Sequence, residues 1–344
     1  MFKFYYFKFM LIFFHLYLIK NKFNNNKILN LKVVMQNDNY NYNYNYNTNF
    51  NNIPISYALN NNNLFPTIIS ITSILENAFN STYYIFYIMV SKNKKEFSEE
   101  NKIKLKSIEK TYNRCKIIII EINDYIFRYL EIRDYPLPTY YRLFLAELLP
   151  FLKRIIYLDG DTIVLSDLSE MINLDMGNNI MMGFIDNGYN YANDFGIKTY
   201  KYITAGVLLI NIEEMKNENI TYKFIDFIKK NKKILIQKDQ TVINIVLHER
   251  IGILPAKYGI WSYSNKSDLL FHNNYENYSI NKKCYNEKEL IDAWNDPIII
   301  HYVINKPYIL NNYRLNNSFN NLWLKYAKKT GQLENIIKYY HFST

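Results

Sequence analysis

Two carboxylates flank a glycine in Asp159-Gly160-Asp161, directly after the apolar run IIYL and directly before a second one, TIVL. Acids at i and i+2 around a residue that lets the backbone approach closely can turn toward one cation. Hard oxygen donors of this kind suit Mg²⁺, Mn²⁺ or Ca²⁺. His301 ends another apolar run, PIII, and Lys306 follows five residues later. A neutral imidazole added to two carboxylates makes a mixed N/O ligand set, which favours Mn²⁺ over Mg²⁺, and a nearby lysine is a mobile point charge suited to phosphate. Asp239-Gln240 opens the segment DQTVINIVL, and Arg142 stands among apolar neighbours in TYYRLFLAELL. An arginine in such company either snorkels to water or, if buried, requires a carboxylate or a ligand. Each of these residues also has an ordinary structural reading: a solvated acidic turn, a core histidine, a helix cap.

Their positions follow from the elements around them. Ile53–Leu59 reads as a strand and Pro66–Asn77 as a helix with Ile and Leu on one face. Thr82–Val90 and Lys116–Ile122 are apolar, β-branched runs of the length of buried strands. Between them Ser98–Tyr112 is helical, with Ser98 as N-cap and Glu99 and Glu100 in the first turn. Thr139–Leu149, Thr221–Lys230 and Asp239–Leu247 are further helices; Arg154–Leu158, Gly183–Asp186, Gly206–Ile212 and Ile298–His301 are further strands. Strands alternating with amphipathic helices predict an α/β fold with a mostly parallel sheet covered on both faces. In such sheets ligands bind beyond the carboxyl ends of the strands, which is where Asp159 and His301 fall.

Composition removes other classes. The 344 residues carry a net charge of +10, but residues 1–52 hold six Lys and one Asp and residues 321–344 four Lys and one Glu, so the body is nearly neutral. A nucleic-acid binder carries its basic patch on the folded domain, so that class is excluded. Two cysteines exclude a disulfide scaffold or a Cys-rich zinc site. Asn is roughly one residue in seven, and with Lys, Ile, Tyr and Phe it belongs to the A/T-rich codons, so the bias reads as genome composition. Five N-x-S/T sequons are close to what chance supplies in so Asn-rich a chain.

Three regions are expected: residues 1–52, a hydrophobic N-terminus with an Asn/Tyr-rich low-complexity tether (Gln36–Asn52); 53–310, the folded domain that holds all of these candidate residues; and 311–344, a C-terminal helical segment. The apolar run Phe9–Ile19 is shorter than the roughly 20 residues of a spanning helix. It leaves a signal anchor, a signal peptide or a start at Met35 open, with membrane contact only through residues 1–23 and a cytoplasmic or membrane-associated location.

The order and spacing of IPISYALNNNN, TYYRL, IIYLDGDTIV, GFID, AGVLLINI, DQTVIN and HY followed by KP resemble glycosyltransferase family 8, from Ile53 to Tyr308. Within it the bacterial lipopolysaccharide galactosyl- and glucosyltransferases are more similar than the glycogenin-like enzymes. The resemblance implies a GT-A-type nucleotide-diphosphosugar fold, Mn²⁺ (Mg²⁺ as the alternative), a UDP-sugar donor, a saccharide or glycoconjugate acceptor, and retention of configuration. By motif match Asp159, Asp161 and His301 would hold the metal. Ala58, Asn60 and Asn62 would line the nucleotide pocket, and Lys306 would reach the diphosphate. Arg142, Asp186, Thr204, Ala205, Asp239 and Gln240 would face the donor sugar. Asp239 and Gln240 are the expected catalytic pair, with front-side attack by the acceptor and Gln240 stabilising rather than attacking.

Three departures mark this chain: Asn60 stands where the family has Asp, Thr204 where it has Asn before AGV, and the closing motif is one residue shorter, without its Gly, ending in Tyr308. They motivate an alternative, a weakened member that binds nucleotide-sugar without efficient transfer. A metallohydrolase built on D-G-D is a further class, for which the chain offers too few ligands nearby.

Overall fold

The computed structural model describes residues 50–124, 136–186, 201–231, 237–262, 265–273, 284–303, 306–308 and 319–331, plus 127, 192, 194–196, 235 and 333–334, all within the compact unit Tyr44–Thr344. The hydrophobic N-terminus, nearly all of the Asn/Tyr tract and most of the loop 187–202 lie outside the described residues, as do 311–318 and 335–344. Among the described residues no helix is long and apolar enough to cross a membrane.

In chain order the elements are β1 (Asn51–Leu59), α1 (Leu64–Glu76), β2 (Thr82–Ser91), α2 (Glu99–Thr111), β3 (Cys115–Ile122), a 3₁₀ helix (Leu137–Phe144) running into α3 (Leu145–Leu148), β4 (Arg154–Leu158), β5 (Thr162–Val164), α4 (Ser169–Ile172) and β6 (Met181–Ile185). There follow β7 (Ile203–Asn211), α5 (Ile212–Asn217), α6 (Ile220–Asn231), α7 (Asp239–Val246), β8 (Ile251–Ile253), β9 (Ile260–Trp261), α8 (Lys266–Asn273), α9 (Glu287–Asn295), β10 (Ile299–His301) and α10 (Asn320–Lys329).

Seven strands form one sheet in the order β3-β2-β1-β4-β7-β6-β8. β3, β2, β1 and β4 are parallel neighbours, β7 runs antiparallel to both β4 and β6, and β8 is parallel to β6. All ten residues of β2 are buried, which explains its continuous apolar reading: a strand covered on both faces has no polar side to alternate. From β1 the chain winds outward to β2 and β3 and then returns to the other side of β1 as β4. That reversal opens a crevice beyond the carboxyl ends of β1 and β4, where Ala58 and Asp159 stand.

A second sheet of three strands, β5-β10-β9, is not foreseen from the sequence, where TIVL is only an apolar run. It pairs His301 with Thr162 and with Trp261, so it carries the histidine to the residue after Asp161. The segment expected as a helix over Thr139–Leu149 is 3₁₀ for most of its length; Pro136 and Pro138 at its start remove amide donors, and apolar residues three apart suit either helix. Ser98 caps α2 as expected, accepting from the Asn101 amide at 3.2 Å.

α1 is buried from Leu64 to Leu75, including Thr67, Ser70 and Ser73. These hydroxyls are satisfied, as buried polar groups must be. Tyr57 donates to Ser70 Oγ (2.9 Å), Ser70 to Thr162 Oγ1 (2.9 Å), and Thr162 to the Asp159 carbonyl (2.9 Å). This single-direction chain of hydrogen bonds ties β1, α1 and β5 to the turn that bears the two acids.

Candidate active site

Asp159 follows the last residue of β4, and its amide donates to the Gly206 carbonyl of β7 at 2.7 Å. Asp161 precedes β5, and its carbonyl accepts from the Tyr302 amide at 2.9 Å. Backbone pairing in two sheets thus brings the acidic turn and His301 together, and Asp159, Asp161 and His301 each offer a ligand atom within 4.8 Å of the others. The turn is seated closely on α1: a Cβ at Gly160 would lie 2.2 Å from Thr67 Oγ1. On its other side a Cβ at Gly206 would lie 2.1 Å from His301 Cε1 and 2.8 Å from Asp159 Oδ2.

The two carboxylates are held in the same manner. Asp159 Oδ1 accepts from Arg142 Nη2 (3.0 Å) and from the Tyr157 hydroxyl (2.9 Å), while Oδ2 is 3.9 Å from His301 Nε2. Asp161 Oδ2 takes the Lys306 ammonium, and Oδ1 is 3.2 Å from His301 Nε2. One oxygen of each acid is therefore occupied by a protein donor and the other is turned toward the imidazole. Burial raises the Asp161 pKa, but the Lys306 ammonium and His301 outweigh it and hold the carboxyl well below the usual range. A half-buried acid, a buried acid and a buried imidazole, with room preserved by a glycine, fit a divalent cation of the Mn²⁺ or Mg²⁺ type. Burial also pushes the Tyr157 phenol far up despite the Arg142 charge, so its hydroxyl is a donor at any working pH.

Arg142 is buried and joins the acids to the rest of the site. Its guanidinium lies over the Tyr157 ring at 4.2 Å and donates through Nη1 to the Ala205 carbonyl. Its Nε is 3.1 Å from Asp239 Oδ2, but the single Nε hydrogen goes to the Thr139 carbonyl at 3.1 Å. Asp239 Oδ2 thus feels the charge without receiving a directed hydrogen bond and is a buried acceptor without a hydrogen-bond partner among the described residues. Gln240 is locked: Oε1 accepts from the Ala205 amide (3.0 Å), and Nε2 donates to Asp186 Oδ2 (2.9 Å) and Gln237 Oε1 (2.9 Å). Ala205 N–H can only donate and a carboxylate only accept, so the amide orientation is set by chemistry. Asn244 fixes α7 on β7 by exchanging bonds with Ile203 N and O, both 2.8 Å.

Burial pushes the Asp239 carboxyl up to about 6, Arg142 pulling it back and the Asp159 charge adding to the rise. Its folded pKa exceeds the unfolded value of about 3.9, so between about pH 4 and 6 the folded chain binds the extra proton and stability falls as pH rises. Asp239→Asn is therefore expected to raise the melting temperature at pH 8, by on the order of 5 °C, and to lose that advantage by pH 4. Melting curves at both values check this; an advantage equal at the two would contradict it.

A cavity of about 170 Å³ opens beside the acids, lined by Ala58, Asn63, Pro66, Pro136, Pro138, Thr139, Arg142, Asp159, Gly160, Asp161, Lys306 and Tyr308. Ala58, Arg142, Asp159, Asp161 and Lys306 were expected in the site; Asn60 and Asn62 are not in this wall. Asn60 Oδ1 instead accepts from the Asn62 and Asn63 amides, at 3.0 and 3.2 Å, capping the short turn before α1. Asn61 braces α2, accepting from Ser98 N (3.1 Å) and Asn101 Nδ2 (2.8 Å). Thr204 is buried in β7 beside Ala205 and outside the cavity lining. Tyr308 rests 5.7 Å, ring to ring, from Trp323 of α10, so the C-terminal helix backs the cavity wall. Sequence reasoning missed Tyr157 and Gly206 in the site and Asn63, Pro66, Pro136, Pro138 and Thr139 in the cavity lining; of these Gly206 carried a signal, a glycine inside an otherwise apolar strand.

The Glycosyl transferase family 8 model matches residues 54–308. A lipopolysaccharide 1,2-glucosyltransferase of Escherichia coli is 26% identical over 308 residues, 83% of this chain and 84% of that protein. General stress protein A of Bacillus subtilis is 26% identical over 170 residues, covering 48% of this chain, and the chain spans little more than half, 56%, of that protein's length. The same holds for a Haemophilus influenzae protein with a provisional glycosyltransferase name, 30% identical over 197 residues, 55% of this chain and 58% of that protein. Among solved structures the galactosyltransferase LgtC, in complex with donor and acceptor sugar analogs, superposes with a TM-score of 0.64 at 20% identity, over 80% of this chain and 96% of that one. The bifunctional glycosyltransferase WbbM superposes with 0.68 at 20% identity, over 88% of this chain and 54% of that one. At such identities the superpositions speak for the GT-A-type fold, and the family match covers most of the chain: it belongs to glycosyltransferase family 8.

Proposed function

We propose that the chain is a retaining hexosyltransferase that moves a glucosyl or galactosyl unit from a UDP-sugar to a saccharide or glycoconjugate acceptor of the lipopolysaccharide type, with Mn²⁺ bound. The observation that carries this reading is the Asp159, Asp161 and His301 cluster, with ligand atoms within 4.8 Å, whose two acids line a cavity together with Arg142 and Lys306. A divalent cation held there offsets negative charge on the departing diphosphate.

The remaining roles belong to the chain's own groups. Lys306 exchanges its partner Asp161 for the diphosphate and adds a positive charge where negative charge develops. Asp239 Oδ2, buried and short of a hydrogen bond, accepts from a sugar hydroxyl and sets the ring's orientation. The Gln240 amide is held on three sides and leaves a lone pair of Oε1 facing an oxocarbenium-like sugar without forming a bond to it. Among the described residues of the site, Asp159, Asp161 and Asp186 are each engaged by protein donors and Asp239 is given to the sugar hydroxyl. In this reading no carboxylate serves as a nucleophile of the glycosidase kind, and the acceptor hydroxyl attacks on the face that the diphosphate leaves. The mostly buried setting of these groups excludes water and strengthens each charge interaction.

The test incubates the full chain with Mn²⁺ and either UDP-glucose or UDP-galactose, with and without a lipooligosaccharide acceptor, and measures UDP release and product. Release that needs Mn²⁺ and rises with acceptor is expected from one of the two donors. Nucleotide-sugar binding with neither release nor transfer would replace this reading by that of a weakened member.

A further inference from the structure

We propose that Tyr157 is a positioning residue for the metal site: together with Arg142 it reserves Oδ1 of Asp159, so that Asp159 presents only Oδ2 to a divalent cation. The inference rests on the metal reading above. Tyr157 is the fourth residue of β4, among Ile155, Ile156 and Leu158, all fully or almost fully buried. A hydroxyl in that setting destabilises the fold if unmatched, so a strand built only for packing would carry Phe or Leu there. The hydroxyl is spent on Asp159 Oδ1 at 2.9 Å. The ring also carries the Arg142 guanidinium at 4.2 Å, a cation–π contact that steers Arg142 Nη2 to the same oxygen at 3.0 Å.

Two donors on the one oxygen Oδ1 hold the carboxylate against rotation about its Cβ–Cγ bond. Arg142 alone would not do this, because its guanidinium is shared with the Ala205 and Thr139 carbonyls and Asp239. Asp161 shows the same design by other means, with Lys306 on Oδ2 and Oδ1 toward His301. Asp159 is thus set for one-oxygen ligation whether or not Lys306 moves to a diphosphate, which leaves one more coordination position to the diphosphate than a bidentate Asp159 would. Removing a hydrogen bond behind a metal ligand typically costs 10–100-fold in affinity.

The experiment titrates Mn²⁺ alone into the full chain and follows free and bound Mn²⁺ by electron paramagnetic resonance, for the wild type, Tyr157→Phe and Asp161→Asn. Tyr157→Phe keeps the ring, so its metal-free melting temperature should stay near wild type. Its Mn²⁺ dissociation constant should rise at least tenfold, with an altered zero-field splitting of the bound ion. An unchanged constant and spectrum would overturn the positioning role while leaving the metal site standing. Wild-type protein that binds Mn²⁺ no better than Asp161→Asn would overturn the metal reading, and this inference with it. Should Tyr157→Phe not fold, infrared difference spectra of the wild type with and without Mn²⁺ decide. A widely split pair of carboxylate stretches marks a one-oxygen ligand, and a spectrum that shows only the narrow splitting of bidentate acids would refute the proposal.

Discussion

Asp161→Asn is expected to lower the rate of sugar transfer by a factor of about 10³ or more, with the fold retained. Removing a single preorganised charge-stabilising group costs about 10²–10³ in rate, and this substitution disturbs two. It takes an anionic ligand from the cation and leaves Lys306 without its ion-pair partner. The fold should survive because the anchor of this turn is backbone: the Asp161 carbonyl accepts from Tyr302 N at 2.9 Å, and an amide of the same size fills the same space. Some stability is lost at neutral pH. A carboxyl whose folded pKa lies below its unfolded one stabilises above the unfolded value and loses that contribution as pH falls through the folded one, and Asp161 is of that kind. Chelation with EDTA should reproduce the rate loss in the wild type, with Mn²⁺ restoring more than Ca²⁺. A variant that keeps Mn²⁺-dependent transfer near wild type would sink the metal assignment.

Much of this arrangement is legible in the sequence, and the reason is local. β4 is a short apolar run that stops at an acidic turn, and both features are contiguous in the chain. α1, α2, α6 and α7 start and end within about two residues of their expected positions, because apolar periodicity and Ser98 mark them. β1 begins two residues before Ile53, within Asn-rich sequence whose composition argued for a tether. Pairing direction was harder to read. β7 is apolar from Ile203 to Ile210 whether its neighbours run parallel or antiparallel, so nothing in its residues announces that it opposes β4 and β6. The small sheet was illegible for another reason. β5 and β9 have three residues and two, too few to show a period, and β10 joins β9 to a β5 that lies more than a hundred residues earlier in the chain.

Within the site, residue type told what chemistry is available but not what each group is already bonded to. Asn60 was read as facing a nucleotide because of its place in a motif; its side-chain oxygen is engaged by the next two free amides of its own turn, a common use of Asn before a helix. Gln240 was read as a group facing sugar, and the three bonds that immobilise it come from β7, Asp186 and Gln237, which no local pattern connects. Tyr157 looked like one more aromatic in a strand of a Tyr-rich chain. Its hydroxyl acquires meaning only when Asp159, two residues on, folds back to receive it.

Gly206→Ala is expected to lower Mn²⁺ affinity and transfer rate by about 10²-fold or more, for a change of one methyl group. Gly206 stands opposite Asp159 across the β4–β7 pair, its carbonyl accepting from the Asp159 amide at 2.7 Å. The added Cβ would sit 2.1 Å from His301 Cε1, 2.8 Å from His301 Nε2 and 2.8 Å from Asp159 Oδ2, all far inside van der Waals contact. Backbone pairing holds Cα in place, so the side chains must give way, and the two that give way are candidate metal ligands. Overpacking a core costs about 1–3 kcal/mol, a loss of stability that many folds tolerate. Displacing reacting groups by about 1 Å costs on the order of 10²-fold, and here the displacement spreads the ligand set itself. Gly252→Ala is the control: its Cβ would meet Met182 Cγ at 2.7 Å and Asn179 Nδ2 at 2.9 Å, in β8, with no ligand nearby. It should lower the melting temperature to a comparable degree while leaving Mn²⁺ affinity as in the wild type. Equal metal affinity in both variants would mean that the space beside His301 is not reserved for a cation.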